Sequence, residues 1–387
     1  MQKLSDRLLN WASILEPNTL EQARRTSEMP FIYPHLALMP DAHLGKGATV
    51  GSVIPTLGAV MPAAVGVDIG CGMVAVSVGM QLSEIDGLDR SKLRRAIEDA
   101  VPLSAGKYNR KISATAAPRV EELRAMPGAA AATSIAGNWP LQLGSLGSGN
   151  HFIEVTVDET NAVWLFLHSG SRGVGNKLAQ HHIGVAQREM ERDGIKLPDQ
   201  DLAYLTEGTE TFETYIRDLR WAQHFALLNR EEMMDRVVAC FEPWCGRDVV
   251  ERERINCHHN FTQRERHFDK DVWLSRKGAI AASAGTPGLI PGSMGTASYV
   301  VTGRGNPLSL NSSPHGAGRN FSRNAARKRF SQQDLRSAMA GIEYRDTAAF
   351  VDEHPQAYKD IDQVMADAQD LVKIRHTLRQ IVNVKGD

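Results

Sequence analysis

Short glycine-rich loops that border apolar strands carry most of the reactive side chains of this chain. Four such loops contain a cysteine, a histidine or an aspartate, and they cover residues 66–72, 147–152, 167–173 and 257–260. Glycine lets the backbone adopt positive φ and approach a ligand closely, and loops held by a rigid scaffold are where ligands and catalytic groups sit. These loops are therefore the first candidates for a functional site.

Strand-like and helix-like segments are mixed along the chain, and no Pro/Ser-rich hinge separates them. Apolar β-rich runs predict strands at 49–56, 73–78, 163–167, 299–302 and 381–385. Apolar residues at helical spacing predict helices at 89–100, 176–192, 210–241, 332–342 and 359–380. The Ala-, Lys-, Arg- and Pro-containing stretch 105–133 predicts a poorly packed excursion or lid. The pattern as a whole predicts one α+β domain.

Composition excludes some classes and leaves others open. The chain has 387 residues with 44 Lys and Arg against 45 Asp and Glu, so net charge argues neither for nor against a nucleic-acid partner. It has no run of about 18 apolar residues, which excludes an ordinary membrane-spanning helix. The N-terminal residues lack an apolar signal core, and four cysteines are too few for a disulfide framework. A cytoplasmic protein is the expectation.

Five side chains in the glycine loops form a candidate metal site. Asp68 offers a hard oxygen, Cys71 a thiolate, and His151, His168 and His259 offer imidazoles. Imidazole with carboxylate suits Mn, Fe, Co, Ni or Zn, and a thiolate can bridge two ions. One cysteine among several histidines favours a catalytic site with open positions over a structural zinc site. Each residue also has an ordinary interpretation, as a hydrogen-bonding histidine, a turn cap or a small core residue.

Two further pairs of residues, one of histidines and one of cysteines, could be considered as metal ligands. His258 and His259 are adjacent, and in an extended segment their side chains point to opposite sides, so only one of them would bind a metal. Cys240 and Cys245 have no second cysteine pair and no close histidine pair beside them. We interpret them as structural rather than metal-binding.

Further glycine- and hydroxyl-rich segments suit phosphate. Residues 283–288 and 291–296 offer hydroxyls and free backbone N–H groups, which can form an anion nest. A third segment begins at His315 and ends at Arg319, whose fork of donors matches phosphate oxygens. None of these segments fits the Walker or the Rossmann glycine pattern. Histidine can attack phosphorus, so the residues predict a metallo-phosphotransfer site with His315 as a candidate nucleophile and an open substrate.

Motifs along nearly the whole chain resemble, in the same order, those of the RtcB family of RNA ligases. They cover residues 39–43, 68–72, 149–154, 168–173, 259–260, 291–295, 315–319, 357–362 and 384–386. The resemblance implies a single large α+β domain over residues 1–387, with mixed sheets and flanking helices. It implies a ligase that joins an RNA 3′-phosphate or 2′,3′-cyclic phosphate end to a 5′-hydroxyl end, with GTP and two Mn²⁺ ions.

The resemblance also assigns the metal ligands. Cys71 would bridge both ions, with Asp68 and His151 toward one ion and His168 and His259 toward the other.

The remaining site residues would handle nucleotide and RNA. His315 would be guanylylated by GTP, and Asp41 would orient it. Arg172 would contact RNA or its phosphate, and Lys385 would face the guanine edge. The nucleotide and its phosphates would be bound by Asn150, Glu154, Asn260, Lys277, Ser293, Gly316, Ala317, Gly318, Arg319, Tyr358 and Lys385.

The implied reaction has three steps. His315 attacks the α-phosphorus of GTP, GMP moves to the RNA 3′-phosphate, and the 5′-hydroxyl then attacks that phosphate and expels GMP. The chain departs from the best-known members in its compact middle, residues 102–140, and in Pro314, where a small polar residue is expected. The expected partner is RNA with broken ends, tRNA or rRNA, bound by a monomer or weak oligomer.

Two other functions fit parts of the pattern. A metal-dependent phosphodiesterase that processes RNA ends would need the metal ligands but neither His315 nor Lys385. A non-catalytic RNA-binding protein would need none of the Cys/His set.

Overall fold

Strands and helices alternate along all 387 residues of the computed structural model. The strands are β1 Gln2–Ser5, β2 Leu8–Asn10, β3 Leu36–His43, β4 Val50–Thr56, β5 Ala59–Val60, β6 Gly72–Gln81, β7 Phe152–Val157, β8 Ala162–Ser169, β9 Leu205–Thr206, β10 Glu253–His258, β11 Asn260–His267, β12 Lys270–Lys277, β13 Ala279–Ala281, β14 Pro287–Ile290, β15 Ser298–Gly303, β16 Ser312–Pro314 and β17 Val372–Val384.

The helices lie between and around these strands. They are α1 Pro17–Ser27, α2 Leu82–Ile85, α3 Arg90–Ala100, α4 Ala116–Ala125, α5 Ala129–Ile135, α6 Trp139–Gln142, α7 Arg172–Arg192, α8 Glu210–Cys245, α9 Arg323–Arg329, α10 Gln332–Ala338 and α11 Ile361–Asp367. Short 3₁₀ turns occupy Pro62–Ala64, Gln200–Leu202, Ala348–Glu353 and Pro355–Ala357.

Two large sheets organise the chain. A seven-stranded sheet has the order β10-β6-β8-β7-β17-β15-β14, and a six-stranded sheet has the order β1-β2-β3-β4-β12-β11. Most neighbours are antiparallel, and β2 and β3 are parallel. The prediction of one α+β domain with mixed sheets and flanking helices is confirmed.

Side-chain alternation on the strands explains how the layers stack. On β6, Met73 and Ala75 face a core shared with residues of the other sheet such as Val53. Val74 and Val76 face the opposite core. Successive strand residues point to opposite faces, so an apolar run such as β6 can bury both faces of its sheet. The sheet is therefore packed against the second sheet on one side and against helices, mainly α3 and α8, on the other.

The helix α8 is the longest element and joins the helical layer to the sheet. The Thr209 side chain caps it by accepting from the Phe212 N–H, and Gly246 ends it in the left-handed conformation. Its N-terminal part packs with α4, α5 and α7, through residues such as Phe225. Its C-terminal part packs on the seven-stranded sheet through residues such as Val237.

Two segments differ from their predicted local structure. Residues 105–133, expected to be a poorly packed excursion or lid, contain α4 and most of α5, and Val120 and Leu123 of α4 are buried in the helical layer. That this segment moves as a lid stays a prediction. Residues 359–380, expected to be one helix, divide into the short α11 and the first part of β17. That strand lies between β15 and β7, and its pairing with distant strands outweighs its local pattern.

The predicted strands and the helices at 89–100, 176–192 and 210–241 are present, most of them with ends shifted by a few residues, whereas the strand predicted at 381–385 begins already at Val372. The helix predicted at 332–342 is shorter and ends at Ala338. None of the helices is long and apolar enough to cross a membrane.

Candidate active site

Strand ends from both sheets line one cavity of ≈ 360 Å³, and the glycine loops open into it. The predicted site residues that line it are Asp68, Cys71, Asn150, His168, His259, Asn260, Lys277, Ser293, His315, Gly316, Ala317, Gly318, Arg319, Tyr358 and Lys385. Four predicted residues, Asp41, His151, Glu154 and Arg172, lie outside this lining.

Strand register brings the candidate metal ligands together. In the seven-stranded sheet β6 lies between β8 and β10, so Gly72 is opposite both Ser169 and His258. The chain neighbours of Gly72, Ser169 and His258 are Cys71, His168 and His259, respectively. Three neighbouring strand ends thus bring together side chains that are about 90 or more residues apart in the sequence.

The five candidate ligands form two overlapping groups that share Cys71. Cys71 Sγ lies 3.3 Å from His168 Nε2, which lies 2.9 Å from His259 Nε2. Cys71 Sγ also lies 3.4 Å from His151 Nε2, which lies 3.1 Å from Asp68 Oδ2. In each group of three, the ligand atoms lie within 4.8 Å of one another.

The contacts of Nδ1 determine which ring nitrogen of each of the three histidines faces the other ligands. Nδ1 of His151 lies 2.9 Å from the Leu146 carbonyl oxygen, and Nδ1 of His168 lies 3.2 Å from that of Asn150. Nδ1 of His259 lies 3.2 Å from Asn260 Oδ1. Each Nδ1–H therefore donates outward, which leaves the Nε2 lone pairs inside, as in most histidines that bind metals.

The donor set fits a metal on chemical grounds. Burial holds the pKa of His168 and of His259 well below the ordinary value, so both rings are neutral. Two Nε2 lone pairs at 2.9 Å repel each other unless a cation accepts both. Burial also raises the pKa of the Cys71 thiol, which a bound cation would reverse.

Asp68 stays ionised beside this cluster. Burial opposes its ionisation, but the contact with His151 and the charge of Arg172 outweigh burial and bring the pKa of Asp68 to about 2. The residue at 170 must be glycine, because a Cβ there would overlap the Asp68 carboxylate. His258 takes no part in the cluster: its Nδ1 lies 2.9 Å from the Gly70 carbonyl oxygen, beside Arg230.

His315 lies at one end of the cluster and is held from behind. Its Nδ1 is 2.6 Å from Asp41 Oδ2, and its backbone N–H donates to the same oxygen at 3.3 Å. Its ring centre lies 4.4 Å from that of His259. Asp41 is fully buried, and its Oδ1 has no partner. This arrangement leaves Nε2 of His315 as the free ring nitrogen in the cavity.

Glu353, which sequence reasoning missed, organises the far end of the cavity. Its Oε2 accepts from the Tyr358 hydroxyl at 2.5 Å and lies 3.3 Å from Lys385 Nζ. Its Oε1 accepts from Arg323 at 2.6 Å and from Arg319 at 3.2 Å. Burial opposes ionisation of Glu353, but the charges of Lys385 and Arg323 outweigh it and bring its pKa to about 2.

Other residues support the cavity wall. Lys277 Nζ donates to the Ala63 carbonyl at 3.0 Å and to that of Lys46, and burial lowers its pKa to about 7. Glu154 is buried behind the wall, where its Oε1 accepts from Asn383 at 2.7 Å and burial raises its pKa to about 8. His43, a second missed residue, lines the cavity, and burial lowers its pKa to about 4.

The missed residues carry weak local signals. Glu353 lies four residues before Ala357 in the stretch that contains Tyr358, and His43 lies two residues after Asp41. Only their tertiary partners distinguish them from ordinary surface residues. Fold and site together define an enzyme-type cavity with a candidate metal cluster and, at the edge of that cluster, a histidine oriented by a carboxylate.

Comparison with known proteins identifies the family. A family model described as "tRNA-splicing ligase RtcB" matches residues 22–386. The chain is 46% identical to the RNA-splicing ligase RtcB of Escherichia coli over 96% of this chain and 95% of that protein. It is 31% identical to the tRNA-splicing ligase RtcB of Pyrobaculum aerophilum, over 95% and 91% of the two chains. The chain belongs to the RtcB family of RNA-splicing ligases.

Proposed function

We propose that the chain joins RNA 3′-phosphate or 2′,3′-cyclic phosphate ends to 5′-hydroxyl ends, using GTP and two Mn²⁺ ions, through a GMP adduct of His315. The observation that carries this proposal is the placement of His315. Asp41 occupies its Nδ1 at 2.6 Å, while Nε2 is free in the cavity beside His259. Asp41 would hold the proton on Nδ1 and stabilise the positive ring that forms when Nε2 bonds to phosphorus.

Two groups of three ligands with one shared cysteine support a two-metal site. Cys71 would bridge, with Asp68 and His151 toward one ion and His168 and His259 toward the other. When bound, Mn²⁺ ions would supply positive charge that offsets the phosphate oxygens.

The first step uses the histidine alone as nucleophile. The Nε2 lone pair of His315 attacks the α-phosphorus of GTP, and the bond from that phosphorus to the bridging oxygen of pyrophosphate breaks. The backbone of the loop 316–318 and the side chains of Asn150 and Arg319 would hold the phosphates. All three guanidinium nitrogens of Arg319 already donate, to Glu353, to Tyr358 and to two backbone carbonyls. The main part of Arg319 would therefore be to shape the pocket and to offer its one remaining N–H.

Two further steps restore the enzyme. An oxygen of the RNA 3′-phosphate attacks the GMP phosphorus and the P–N bond to His315 breaks, which regenerates the imidazole. The 5′-hydroxyl of the second strand then attacks the RNA phosphorus, GMP leaves, and the hydroxyl proton is released. A 2′,3′-cyclic phosphate would first be hydrolysed to the 3′-phosphate. Arg172 would contact the RNA phosphate.

The far end of the cavity would select guanine. Lys385 Nζ carries donors only, so it can bond guanine O6 but opposes the adenine amino group. Tyr358 and Ser293 line the same end, and Glu154 lies behind it. Asn260 and Lys277 would complete the wall near the phosphates.

The substrate proposed is tRNA or rRNA with broken ends, repaired in the cytoplasm by a monomer or weak oligomer. Homologues named for RNA or tRNA splicing support RNA as the substrate class.

Covalent labelling tests the proposal. The protein is incubated with Mn²⁺ and GTP or ATP labelled at the α-phosphate, and then challenged with acid or alkali. We expect GTP to label far better than ATP, and the adduct to be acid-labile and alkali-stable, as a phosphoramidate is. Truncation after Asn383 should erode the preference for GTP. Equal labelling by both nucleotides contradicts the guanine pocket.

The same assay separates the other functions. A phosphodiesterase would open cyclic phosphate ends without labelling and without joining. A non-catalytic RNA-binding protein would bind RNA and show neither reaction.

A further inference from the structure

Three cationic side chains and a tyrosine converge on one buried carboxylate at the far end of the cavity. Glu353 ends the 3₁₀ turn that begins at Ala348 and lines the cavity. Its partners come from three other parts of the chain: the segment from His315 into α9, the residue after the 3₁₀ turn Pro355–Ala357, and the residue after β17. The steps proposed above use most of these partners for guanine and phosphate, but they give Glu353 itself no part.

The two carboxylate oxygens of Glu353 divide the partners into two groups. Oε2 accepts from the Tyr358 hydroxyl and lies 3.3 Å from Lys385 Nζ, and both of these side chains lie at the proposed guanine end. Oε1 accepts from Arg323 at 2.6 Å and from Arg319 at 3.2 Å. One buried group therefore links the base end of the cavity to the arginines beside its phosphate loop.

Lys385 depends on Glu353 for its orientation. Its ammonium is buried and makes no other hydrogen bond with the protein. Glu154, which also feels the charge of Lys385, is held protonated because burial raises its pKa to about 8. Glu353 stays ionised, since the charges of Lys385 and Arg323 outweigh burial and bring its pKa to about 2. Without the charge of Glu353, the Lys385 ammonium would be buried with no ionised partner in contact, which is costly.

The hydroxyl of Tyr358 is held from two sides. It donates to Glu353 and accepts from Arg319 Nη1 at 3.0 Å. The Arg319 guanidinium also lies 4.9 Å from the centre of the Tyr358 ring. A phenol whose donor and acceptor are both occupied keeps one orientation, so this ring is a fixed part of the cavity wall.

The orientation of Lys385 bears directly on nucleotide choice. Guanine has a carbonyl oxygen at position 6, where adenine has an amino group. An ammonium directed at that position favours guanine only while it is charged and held in place. A lysine without a charged partner can turn away or release its proton, and a neutral amine can also accept from the amino group of adenine. The preference for guanine therefore depends on the group that holds Lys385.

We propose that Glu353 is the positioning residue for guanine recognition. Its Oε2 holds the Lys385 ammonium and the Tyr358 hydroxyl in the orientation that reads the base. Its Oε1 keeps Arg319 and Arg323 aligned with that end. Glu353 acts through these side chains, because its two oxygens already accept four hydrogen bonds within the protein. This inference rests on the ligase function proposed above and names the residue that sets its nucleotide preference.

Competition between GMP and AMP tests the proposal without any group transfer, since neither monophosphate carries a pyrophosphate leaving group. Both are titrated, with Mn²⁺ present, against a fluorescent GMP analogue bound to the protein. Glu353→Gln should weaken GMP binding by about 10- to 100-fold, the effect of losing a hydrogen bond to a charged group, and AMP binding by less than about threefold. The guanine-to-adenine preference should fall accordingly.

A neighbouring carboxylate provides the matched control. Asp352 is also buried and accepts from Arg323 and Arg327, but it contacts neither Lys385 nor Tyr358 through its side chain. Asp352→Asn should keep the wild-type ratio of GMP to AMP affinity, even where both affinities fall. Thermal unfolding of both variants shows whether the fold is intact. If Glu353→Gln does not fold, Glu353→Asp keeps the charge but withdraws it by one methylene, and it should show a smaller loss of the same preference.

A double variant separates positioning from a general structural role. Lys385→Ala should remove the guanine preference by itself, and adding Glu353→Gln should lower it no further, because Glu353 acts through Lys385. A purely structural Glu353 would lower both affinities equally in either background. Additive losses of preference in the double variant would contradict the proposal.

The outcomes also distinguish this inference from the ligase proposal. If GTP never labels the wild type, but GMP binding keeps a preference that Glu353→Gln removes, the ligase proposal fails and the positioning role stands. A wild-type ratio of GMP to AMP affinity in Glu353→Gln, or a ratio near one in the wild type itself, overturns the role assigned to Glu353.

Discussion

Two buried histidine–aspartate pairs in this protein have nearly the same contact and very different surroundings. His315 Nδ1 lies 2.6 Å from Asp41 Oδ2 at the cavity, and His182 Nε2 lies 2.9 Å from Asp218 Oδ2 between α7 and α8. Both carboxylates are almost fully buried. The contact alone therefore does not distinguish a reactive histidine from a structural one.

The second ring nitrogen makes the difference. In the helical pair, His182 Nδ1 is buried without a partner, its ring packs 5.2 Å from that of Tyr215, and Asp218 is also bonded to Arg217. No ligand can reach that nitrogen. In the cavity pair, the second nitrogen of His315 faces open space beside the candidate ligand cluster. A histidine becomes a candidate nucleophile when its free nitrogen faces a space that a phosphate can enter.

Removing each histidine is expected to separate the pairs most strongly. His315→Ala should lose GMP labelling completely, yet should still join RNA whose 3′ end already carries GMP, because that step needs only the metals and the bound ends. His182→Ala should keep labelling and lower the free energy of unfolding by about 3 kcal/mol, since it leaves Asp218 buried. Labelling and urea denaturation measure the two effects. A GMP adduct on His315→Ala, or one mapped to a lysine in the wild type, contradicts the proposed chemistry.

Removing a candidate ligand tests whether the cluster beside His315 and Asp41 binds metal ions. Cys71→Ala should abolish ligation and weaken binding of both Mn²⁺ ions by more than the roughly 10- to 100-fold that removal of an outer partner costs. The control Cys257→Ala alters a cysteine outside the cluster and should bind Mn²⁺ like the wild type. Metal titration by calorimetry measures both variants. Unchanged stoichiometry and affinity in Cys71→Ala would remove that residue from the site.

Amide substitutions compare the two carboxylates directly. Asp41→Asn should slow GMP labelling by about 10²- to 10⁴-fold, because an amide neither fixes the same tautomer nor stabilises the positive ring. Asp218→Asn should label at the wild-type rate and lose about 1–3 kcal/mol of stability through a poorer buried hydrogen bond. Single-turnover labelling rates distinguish the two outcomes. Equal rates in Asp41→Asn and the wild type would make the cavity pair as structural as the helical one.

The sequence was informative where the signal is local. The long helix α8 follows from apolar residues at helical spacing, and the strands β4, β6, β8 and β15 follow from apolar β-rich runs. The glycine-flanked loops alone indicated the cluster of Asp68 and Cys71. The assignment of roles to those residues came from family resemblance, because neither spacing nor composition distinguishes a nucleophilic histidine from a ligand.

Contacts between distant segments explain the features that the sequence did not predict. The strand β17 carries an irregular exposed N-terminal half, and only its two partner strands make it extended. The helix α4 buries Ala116, Val120 and Leu123 in a stretch whose composition predicted weak packing. Glu353 is part of the site only because its carboxylate accepts hydrogen bonds from Arg319, Arg323, Tyr358 and Lys385, which belong to separate segments.

A buried glutamate without a histidine is expected to affect only the pH dependence of stability, and it sharpens the comparison of buried carboxylates. Burial raises the pKa of Glu154 to about 8, against the hydrogen bond from Asn383 and the charge of Lys385. The unfolded chain ionises this group near 4.5, so the folded state holds the proton between about pH 4.5 and 8. Its contribution to stability is therefore full below that window and is lost as pH rises through it, by at most about 1.4 kcal/mol per pH unit.

Glu154→Gln should remove this slope, since the amide stays neutral and its oxygen can still accept from Asn383. Urea denaturation at several pH values from 5 to 8 should show a shallower decline for the variant than for the wild type. Glu353→Gln is the matched control: burial opposes ionisation of Glu353, but Lys385 and Arg323 bring its pKa to about 2. The stability from Glu353 is present above pH 4.5 and is lost only as pH falls toward 2, so its variant should shift the curve downward without changing its slope. Identical slopes for Glu154→Gln and the wild type would show that Glu154 is ionised in the folded protein, held by Lys385 as Asp218 is held by Arg217.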